Sequence, residues 1–252
     1  MVELYGLLGY PLGHSFSAKY FAEKFKQEHI DAEYRNFEYP SVEEAMQYLL
    51  KQPTLKGFNV TIPYKQEVMP YLKGLSPEAD AIGAVNVVCV KQTAEGEPLL
   101  YGCNSDVIGF TNSIKPLLNP EVHKRALVLG TGGASKAVVH GLKQLGIEPM
   151  YVSRNAASGR LTYADLTKEV MNLYKVIVNC SPVGMYPKVD NCPNIPYQWI
   201  GTDHLLYDLV YNPLETLFMK RGAERGAKVK NGLEMLHLQA EAAWDMWHHN
   251  EW

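Results

Sequence analysis

The chain has 252 residues, 46% hydrophobic and 20% charged, enough apolar material to fill a core and too much for a disordered segment. A formal net charge of −3 and a pI near 6.2, with no dense Lys/Arg block, give no attraction to a phosphate backbone or an anionic lipid surface, so nucleic acid and membrane are excluded as expected partners. Cys89, Cys103, Cys180 and Cys192 are scattered without a CxxC or a zinc spacing, which argues against a disulfide framework or structural metal and for a reducing cytoplasm. The opening MVELYGLLGYPLGHS is apolar, yet it lacks a basic n-region and is broken by Gly6, Gly9, Pro11 and Gly13 before a signal peptide could form. No stretch is long enough in apolar residues to span a membrane.

In chain order, strand-like runs alternate with helical ones. ELYGLLG precedes a helix near residues 17–28, AEYRNFEY a helix near 42–51, and GFNVTIP a helix near 64–72. Such βαβα order predicts a mostly parallel sheet covered by helices. AVNVVCVKQ and PLLYGCN flank the turn-like TAEGE and read as a hairpin added to this unit. A helix near 107–118 then leads through NPEV to RALVLG, a glycine cluster and a helix ending near Leu145; EPMYVSR, YKVIVNCS, HLLYDLVY and AKVKNG supply further strands of a second α/β unit. In the last segment Leu233, Leu236, Ala240, Ala243, Trp244 and Trp247 fall at helical spacing, one buried face that we expect to pack on the first unit. The expected fold is therefore two-domain α/β: residues 1–104 with the helix 233–252, and a Rossmann-like unit over 105–232.

LVLGTGGASKAVV sets Gly130, Gly132 and Gly133 between a β-like run and a helix, the context of a dinucleotide loop, where glycines let a pyrophosphate approach N–H groups at the helix start. The pattern is GxGGxxxA rather than the full GxGxxG, and a ligand-free turn is the bland alternative. The next strand ends Ser153, Arg154, Asn155, with no acid in the position that binds a ribose 2′-OH in NAD enzymes. Pairing of Arg154 with a 2′-phosphate, and hence NADP(H), is the functional reading; a solvated strand-end charge is the other.

In the first half GHSFS offers Ser15 and Ser17, GFNVTIPYK offers Thr61 and Lys65, GAVN offers Asn86, and GCNSDVIGF offers Asp106. Either serine could simply cap the following helix, and Asp106 could be a first-turn acid favoured by the helix dipole. Lys65 resists its bland reading better, because Pro63 suits a helix's first turn and a cation two residues on is disfavoured there.

Together the ordered segments GYPLGHSFS, GFNVTIPYK, AIGAVN, GCNSDVIGF, LGTGGASKA, VNCSPVGM, YDLVYNP and GLEMLHLQA make the chain resemble the shikimate dehydrogenase family from Gly9 to the last helix. The resemblance implies NADPH-dependent reduction of 3-dehydroshikimate to shikimate, on the route to chorismate and the aromatic amino acids, by a cytoplasmic monomer or homodimer. It implies that Ser15 and Ser17 bind the substrate carboxylate, that Thr61, Lys65, Asn86 and Asp106 hold the ring hydroxyls and reacting carbonyl, and that Lys65 and Asp106 form the catalytic pair. Gln239 would reach the substrate from the last helix, and Tyr211 would bind it where the substrate cleft meets the nicotinamide. Gly130, Thr131, Gly132, Gly133 and Ala134 would cradle the pyrophosphate, Ser153 and Arg154 would meet the ribose phosphate, and Val183 and Gly232 would lie by the nicotinamide. No metal is implied.

The chain departs from the family's pattern with Ala18 for Pro, Ser105 and Val87 for Thr, and Ser153-Arg154-Asn155 for Asn-Arg-Thr. AASGRLTYADLTKEVMNLYK is also short for a helix-strand-helix passage, so we expect the second unit to have lost a helix or an edge element. Three other readings stand beside this one. A quinate/shikimate dehydrogenase is countered by Ser17 and Arg154; a nucleotide-binding regulatory paralogue is countered by retention of a polar pair that costs desolvation; a methylene-tetrahydrofolate dehydrogenase is countered by the paired serines and the Asp106 segment.

Overall fold

The structure, a computed structural model, describes residues 2–13 and 16–249. Among them the chain divides into two compact units, one of residues 1–105 and 240–252, the other of 106–239.

The first unit holds β1 (Glu3–Gly9), α1 (Phe16–Gln27), β2 (Ala32–Glu38), α2 (Val42–Leu49), β3 (Leu55–Val60), β4 (Gly74–Leu75), α3 (Pro77–Ile82), β5 (Val87–Gln92) and β6 (Pro98–Cys103). Its six-stranded sheet runs β2-β1-β3-β5-β6-β4. β1 pairs in parallel with β2 and β3, and β4 with β6, whereas β3–β5 and the β5–β6 hairpin are antiparallel. β1 is a near-continuous apolar run because both its faces are covered. Leu4 and Leu8 face a core shared with Phe58, Val60 and Met46 of α2, while Tyr5 points the other way among Phe21, Phe25, Val87 and Trp247. That second face is closed by the far part of the last helix, α8 (Leu233–His249). Gly57 on β3 is a packing requirement there: a Cβ would overlap the Trp247 indole, whose Nε1–H donates to the Val88 carbonyl at 3.1 Å. The unit boundary falls within α8, between Gln239 and Ala240, and not at the start of the helix.

The helix expected over 64–72 is not an α-helix. The segment is a run of turns ending in a single 3-10 turn, Met69–Tyr71. The Lys65 carbonyl, which an α-helix would offer to the Met69 N–H, accepts instead from Val85 at 2.7 Å, and Met69 turns to Gln66 at 3.1 Å. Pro70 has no N–H to continue the ladder. The helix-dipole argument for Lys65 therefore falls away.

The second unit holds α4 (Asp106–Ile114), β7 (Arg125–Leu129), α5 (Gly133–Gln144), β8 (Glu148–Ser153), β9 (Arg160–Thr162), α6 (Lys168–Leu173), β10 (Val176–Asn179), β11 (Leu205–Asp208), α7 (Leu217–Ala223), β12 (Lys228–Lys230) and the first part of α8. Its strands are all parallel in the order β12-β11-β10-β7-β8-β9. Counted within the unit this is the doubly wound 3-2-1-4-5-6 order, with the switch point between β7 and β10. The shortened passage has lost a helix but kept its edge strand. Only residues 154–159 join β8 to β9, and no crossover helix fits in them. The link works because β9 pairs with only the end of β8, from Tyr151↔Arg160 to Ser153↔Thr162, so the chain need double back by only a few residues.

Candidate active site

In the first unit the polar candidates gather where β1 and β3 end. Tyr64 and Val68, one helical turn apart, are buried in the core, and the Tyr64 hydroxyl donates to the Tyr39 carbonyl at 2.6 Å. This anchors the turn and leaves Lys65, between them in the chain, half-buried on another side. Thr61 follows β3 directly, its N–H donating to the Leu8 carbonyl at 2.8 Å. The GAVN and GCNSD segments are stitched together: Asn86 Nδ2 donates to Ser105 Oγ at 3.0 Å, Ser105 N–H donates to Asn86 Oδ1 at 2.7 Å, and Asn104 Nδ2 donates to the Ala84 carbonyl at 3.0 Å. Asn86, Asn104 and Ser105 are all buried. The same network extends outward through Asn59, whose Nδ2 donates to the Asn86 carbonyl and whose Oδ1 accepts from the Tyr34 hydroxyl. Lys65 and Asn86 are thus tied to one another, since the Lys65 carbonyl accepts from the N–H of Val85, the residue before Asn86. Ser15 and His14 lie outside the described residues.

In the second unit Asp106 opens α4 and is buried, directly after the pinned Ser105. One turn on, at Gly109, α4 meets α8 so closely that a Cβ would lie 3.0 Å from Gln239 N and 2.6 Å from the Met235 carbonyl. Glycine at 109 therefore lets these helices approach and sets Gln239 beside the α4 face that carries Asp106. Gln239 Nε2 donates to the Leu236 carbonyl at 3.0 Å.

The loop after β7 joins the strand directly to the N-terminus of α5. Gly130 takes a left-handed φ of 107°, which a side chain would resist. Gly132, the N-cap of α5, is different: its φ of −74° suits any residue, and a Cβ there would meet no protein atom within 4 Å. Beyond a modest N-cap preference, neither backbone angle nor packing calls for this glycine, and the space it leaves would admit a ligand approaching the α5 N–H groups. Thr131, Gly133 and Ala134 complete the turn and first helical residues. At the end of β8, Ser153 Oγ donates to the Asn155 carbonyl at 2.5 Å and Arg154 is exposed, with the half-buried Tyr163 phenol close enough to feel its charge. No carboxylate stands at that strand end.

Sequence reasoning missed a buried cluster below the next two loops. Asp208, at the end of β11, is fully buried; its Oδ1 accepts from Asn179 Nδ2 at 2.9 Å and from Val210 N–H at 3.0 Å, and its Oδ2 from Thr216 Oγ1 at 2.6 Å. Burial outweighs these donors and raises its pKa to about 6. Asn179 Oδ1 also accepts from Ser181 Oγ at 2.6 Å, and its Nδ2 donates to the Val183 carbonyl at 3.3 Å. The cluster thus fixes the loop carrying the partly exposed Val183 and the one carrying Tyr211, whose phenol pKa is raised by burial. The signal in the sequence was a single polar residue closing each apolar run, VIVN and LLYD. Gly232, unlike Gly132, has a packing reason: a Cβ would lie 2.7 Å from the Leu209 carbonyl carbon.

Among the described residues no group of His, Cys, Asp and Glu could hold a metal ion, and no helix is long and apolar enough to cross a membrane. A family model described as "Shikimate dehydrogenase substrate binding domain" matches residues 7–88. A "Shikimate dehydrogenase (NADP(+))" of Clostridium beijerinckii is 39% identical, covering 98% of this chain and 92% of that one. Among solved structures, the shikimate 5-dehydrogenase of Thermus thermophilus in complex with NADP(H) and shikimate superposes with a TM-score of 0.83 at 30% identity, covering 98% of this chain and 94% of that one. The chorismate mutase/shikimate 5-dehydrogenase fusion protein of Clostridium acetobutylicum gives 0.84 at 35% identity, covering 99% and 92%.

Proposed function

This chain belongs to the shikimate dehydrogenase family, and from that premise we propose that it is an NADP-dependent oxidoreductase interconverting 3-dehydroshikimate and shikimate, a cytoplasmic monomer or homodimer. Bound NADPH supplies the hydride. The rest is the work of this chain's own residues. In the second unit the α5 N–H groups and Gly130 to Ala134 hold the pyrophosphate, Ser153 and Arg154 hold the 2′-phosphate, and Val183, Tyr211 and Gly232 border the nicotinamide. In the first, Ser15 and Ser17 donate to the substrate carboxylate, and Thr61 and Asn86 bind ring hydroxyls, with Gln239 reaching the same ligand. Reduction of the C3 carbonyl leaves an alkoxide that needs one proton. Lys65 is the group suited to deliver it, and Asp106 orients the amine and shares a hydrogen bond with the same oxygen.

The observation that carries this reading is Gly132, a glycine with open space over it at the first β–α turn of a 3-2-1-4-5-6 sheet. A spectrophotometric assay of shikimate and quinate oxidation with NADP and NAD, four combinations in one plate, tests it. Turnover is expected chiefly with shikimate and NADP. Tight NADPH binding without turnover of either acid would reject the enzyme in favour of a sensor. Lys65→Ala is expected to lower kcat greatly with a modest change in KM, and near-normal turnover would remove Lys65 from its role.

A further inference from the structure

One buried carboxylate lies behind all three residues read as bordering the nicotinamide. Asp208 ends β11, and Asn179, its partner in the register, ends the neighbouring parallel strand β10. Asp208 is ionised above about pH 6, and an ionised carboxylate can only accept, so each of its partners must turn a proton towards it. Asn179 therefore presents Nδ2 to Asp208 Oδ1, at 2.9 Å. Its own Oδ1 is then turned to the following loop, where it accepts from Ser181 Oγ at 2.6 Å and from the Ser181 N–H at 3.1 Å. The same Nδ2 donates to the Val183 carbonyl at 3.3 Å. Asp208 Oδ1 also accepts from the N–H of Val210, the residue before Tyr211, at 3.0 Å, and the Val210 carbonyl accepts from the Gly232 N–H at 3.2 Å. Val183, Tyr211 and Gly232 are thus all tied back to one oxygen atom. The loop after β10 also runs against the Gly130 turn, since a Cβ on Gly130 would lie 3.4 Å from Ser181 N. Both loops leave the C-terminal ends of β7 and β10, the switch point at which open α/β sheets receive ligands.

We infer that Asp208 is a positioning residue for the nicotinamide end of the cofactor: through Asn179 and Val210 it sets the loop 181–183 and the Val210-Tyr211 segment in the arrangement that hydride transfer needs. The inference rests on the reading above that Val183, Tyr211 and Gly232 border the nicotinamide, and it adds a fully buried residue that touches neither cofactor nor substrate. Its donors are neutral, an amide, a backbone N–H and the Thr216 hydroxyl at 2.6 Å, so the charge sits where burial disfavours it. What the charge provides is direction: three donors are aimed at once, which a neutral amide or hydroxyl, being donor and acceptor together, does not enforce.

Asp208→Asn keeps the shape and one oxygen but puts an amide donor opposite either Thr216 or the Asn179 and Val210 donors. Calorimetric titration of the full chain and this variant with NADPH and with adenosine 2′,5′-bisphosphate separates the two ends of the cofactor, because the bisphosphate carries the adenine and the 2′-phosphate and lacks the nicotinamide. NADPH affinity and kcat for shikimate oxidation at saturating NADP are each expected to fall about tenfold, with bisphosphate affinity within about twofold of the parent. A residue that is merely structural would leave NADPH affinity and kcat unmoved, or would weaken both ligands alike, and either result overturns the inference. Should Asp208→Asn fail to fold, Ser181→Ala decides, since it removes one donor at the half-buried far end of the network. It is expected to weaken NADPH about threefold and to spare the bisphosphate, and a parent-like NADPH affinity and kcat would overturn the inference. If the parent itself binds NADPH no tighter than the bisphosphate and turns over no shikimate, it is the reading of the nicotinamide site that fails, and the role of Asp208 with it.

Discussion

Replacing Gly132 by Ala separates a ligand-binding glycine from a structural one. The new Cβ would meet no protein atom within 4 Å, and φ of −74° is ordinary for alanine. The folded protein therefore loses only the small N-cap preference of Gly over Ala, about 0.5–1 kcal/mol, a shift of a few degrees in Tm for a chain of this size. A bound pyrophosphate would be pushed away from the α5 N–H groups. Losing one such charge-assisted bond costs about 1.5–3 kcal/mol, or about 10- to 150-fold in NADPH Kd. Fluorescence titration of NADPH and calorimetric titration of shikimate read the two effects apart, shikimate affinity staying at its parent value. Gly232→Ala is the matched control: its Cβ would press on the Leu209 backbone at 2.7 Å, so it should lower Tm by more than Gly132→Ala does. An NADPH Kd within twofold of the parent in Gly132→Ala would refute the assignment of the open space to the pyrophosphate.

Arg154→Ala should weaken NADPH at least tenfold while leaving NADH little changed, since only the 2′-phosphate distinguishes them; equal losses for both cofactors would remove Arg154 from cofactor choice. Stability should fall with acidification below pH 6.5. Burial lowers the pKa of His123 and His204 below the ordinary 6.5, each accepting a backbone N–H at Nδ1, from Asn119 at 2.9 Å and Gly201 at 3.1 Å, so the unfolded chain takes up protons there more readily than the folded one. Asp208 opposes them: its pKa, raised from 3.8 to about 6, lets the folded state bind a proton the unfolded chain lacks, a stabilisation that is lost as pH rises through about 6. Asp208→Asn removes the opposing proton uptake, so stability should fall more steeply with acidification in the variant than in the parent. Urea unfolding from pH 5 to 7 measures both slopes, and a variant slope no steeper than the parent's would show that Asp208 does not titrate in this range.

Local patterns in the sequence carried much of the architecture. β1 and β2 lie where the strand-like runs ELYGLLG and AEYRNFEY indicated, the β5–β6 hairpin closes over the TAEGE turn, and α5 follows the glycine cluster. The failures have physical causes. Residues 64–72 have helical spacing in Tyr64 and Val68, but the carbonyl of Lys65 is claimed by Val85, a partner twenty positions downstream that periodicity cannot reveal. β4, β9 and α6 are too short for their pattern to rise above chance, and α3 and α7 were passed over although Ser76-Pro77 and Thr216 are good caps. For the site, GAVN and GCNSDVIGF stood out as separate segments; that the Asn86 side chain bonds both the Ser105 hydroxyl and the Ser105 backbone N–H follows only from the pairing of β5 with β6. The Asn179–Asp208–Thr216 cluster and Tyr34 were invisible for the same reason, since each joins residues that the sequence keeps apart.

The indole of Trp247 resting on Gly57 has a consequence for how the protein is made. Tyr5, Phe21, Phe25 and Val87 emerge early from the ribosome, yet the surface that shields them from water arrives with Ala240, Ala243 and Trp247, after all of the second unit has been translated. During that interval an aromatic sheet face stands open to solvent and to neighbouring nascent chains, a period in which a chaperone has something to hold.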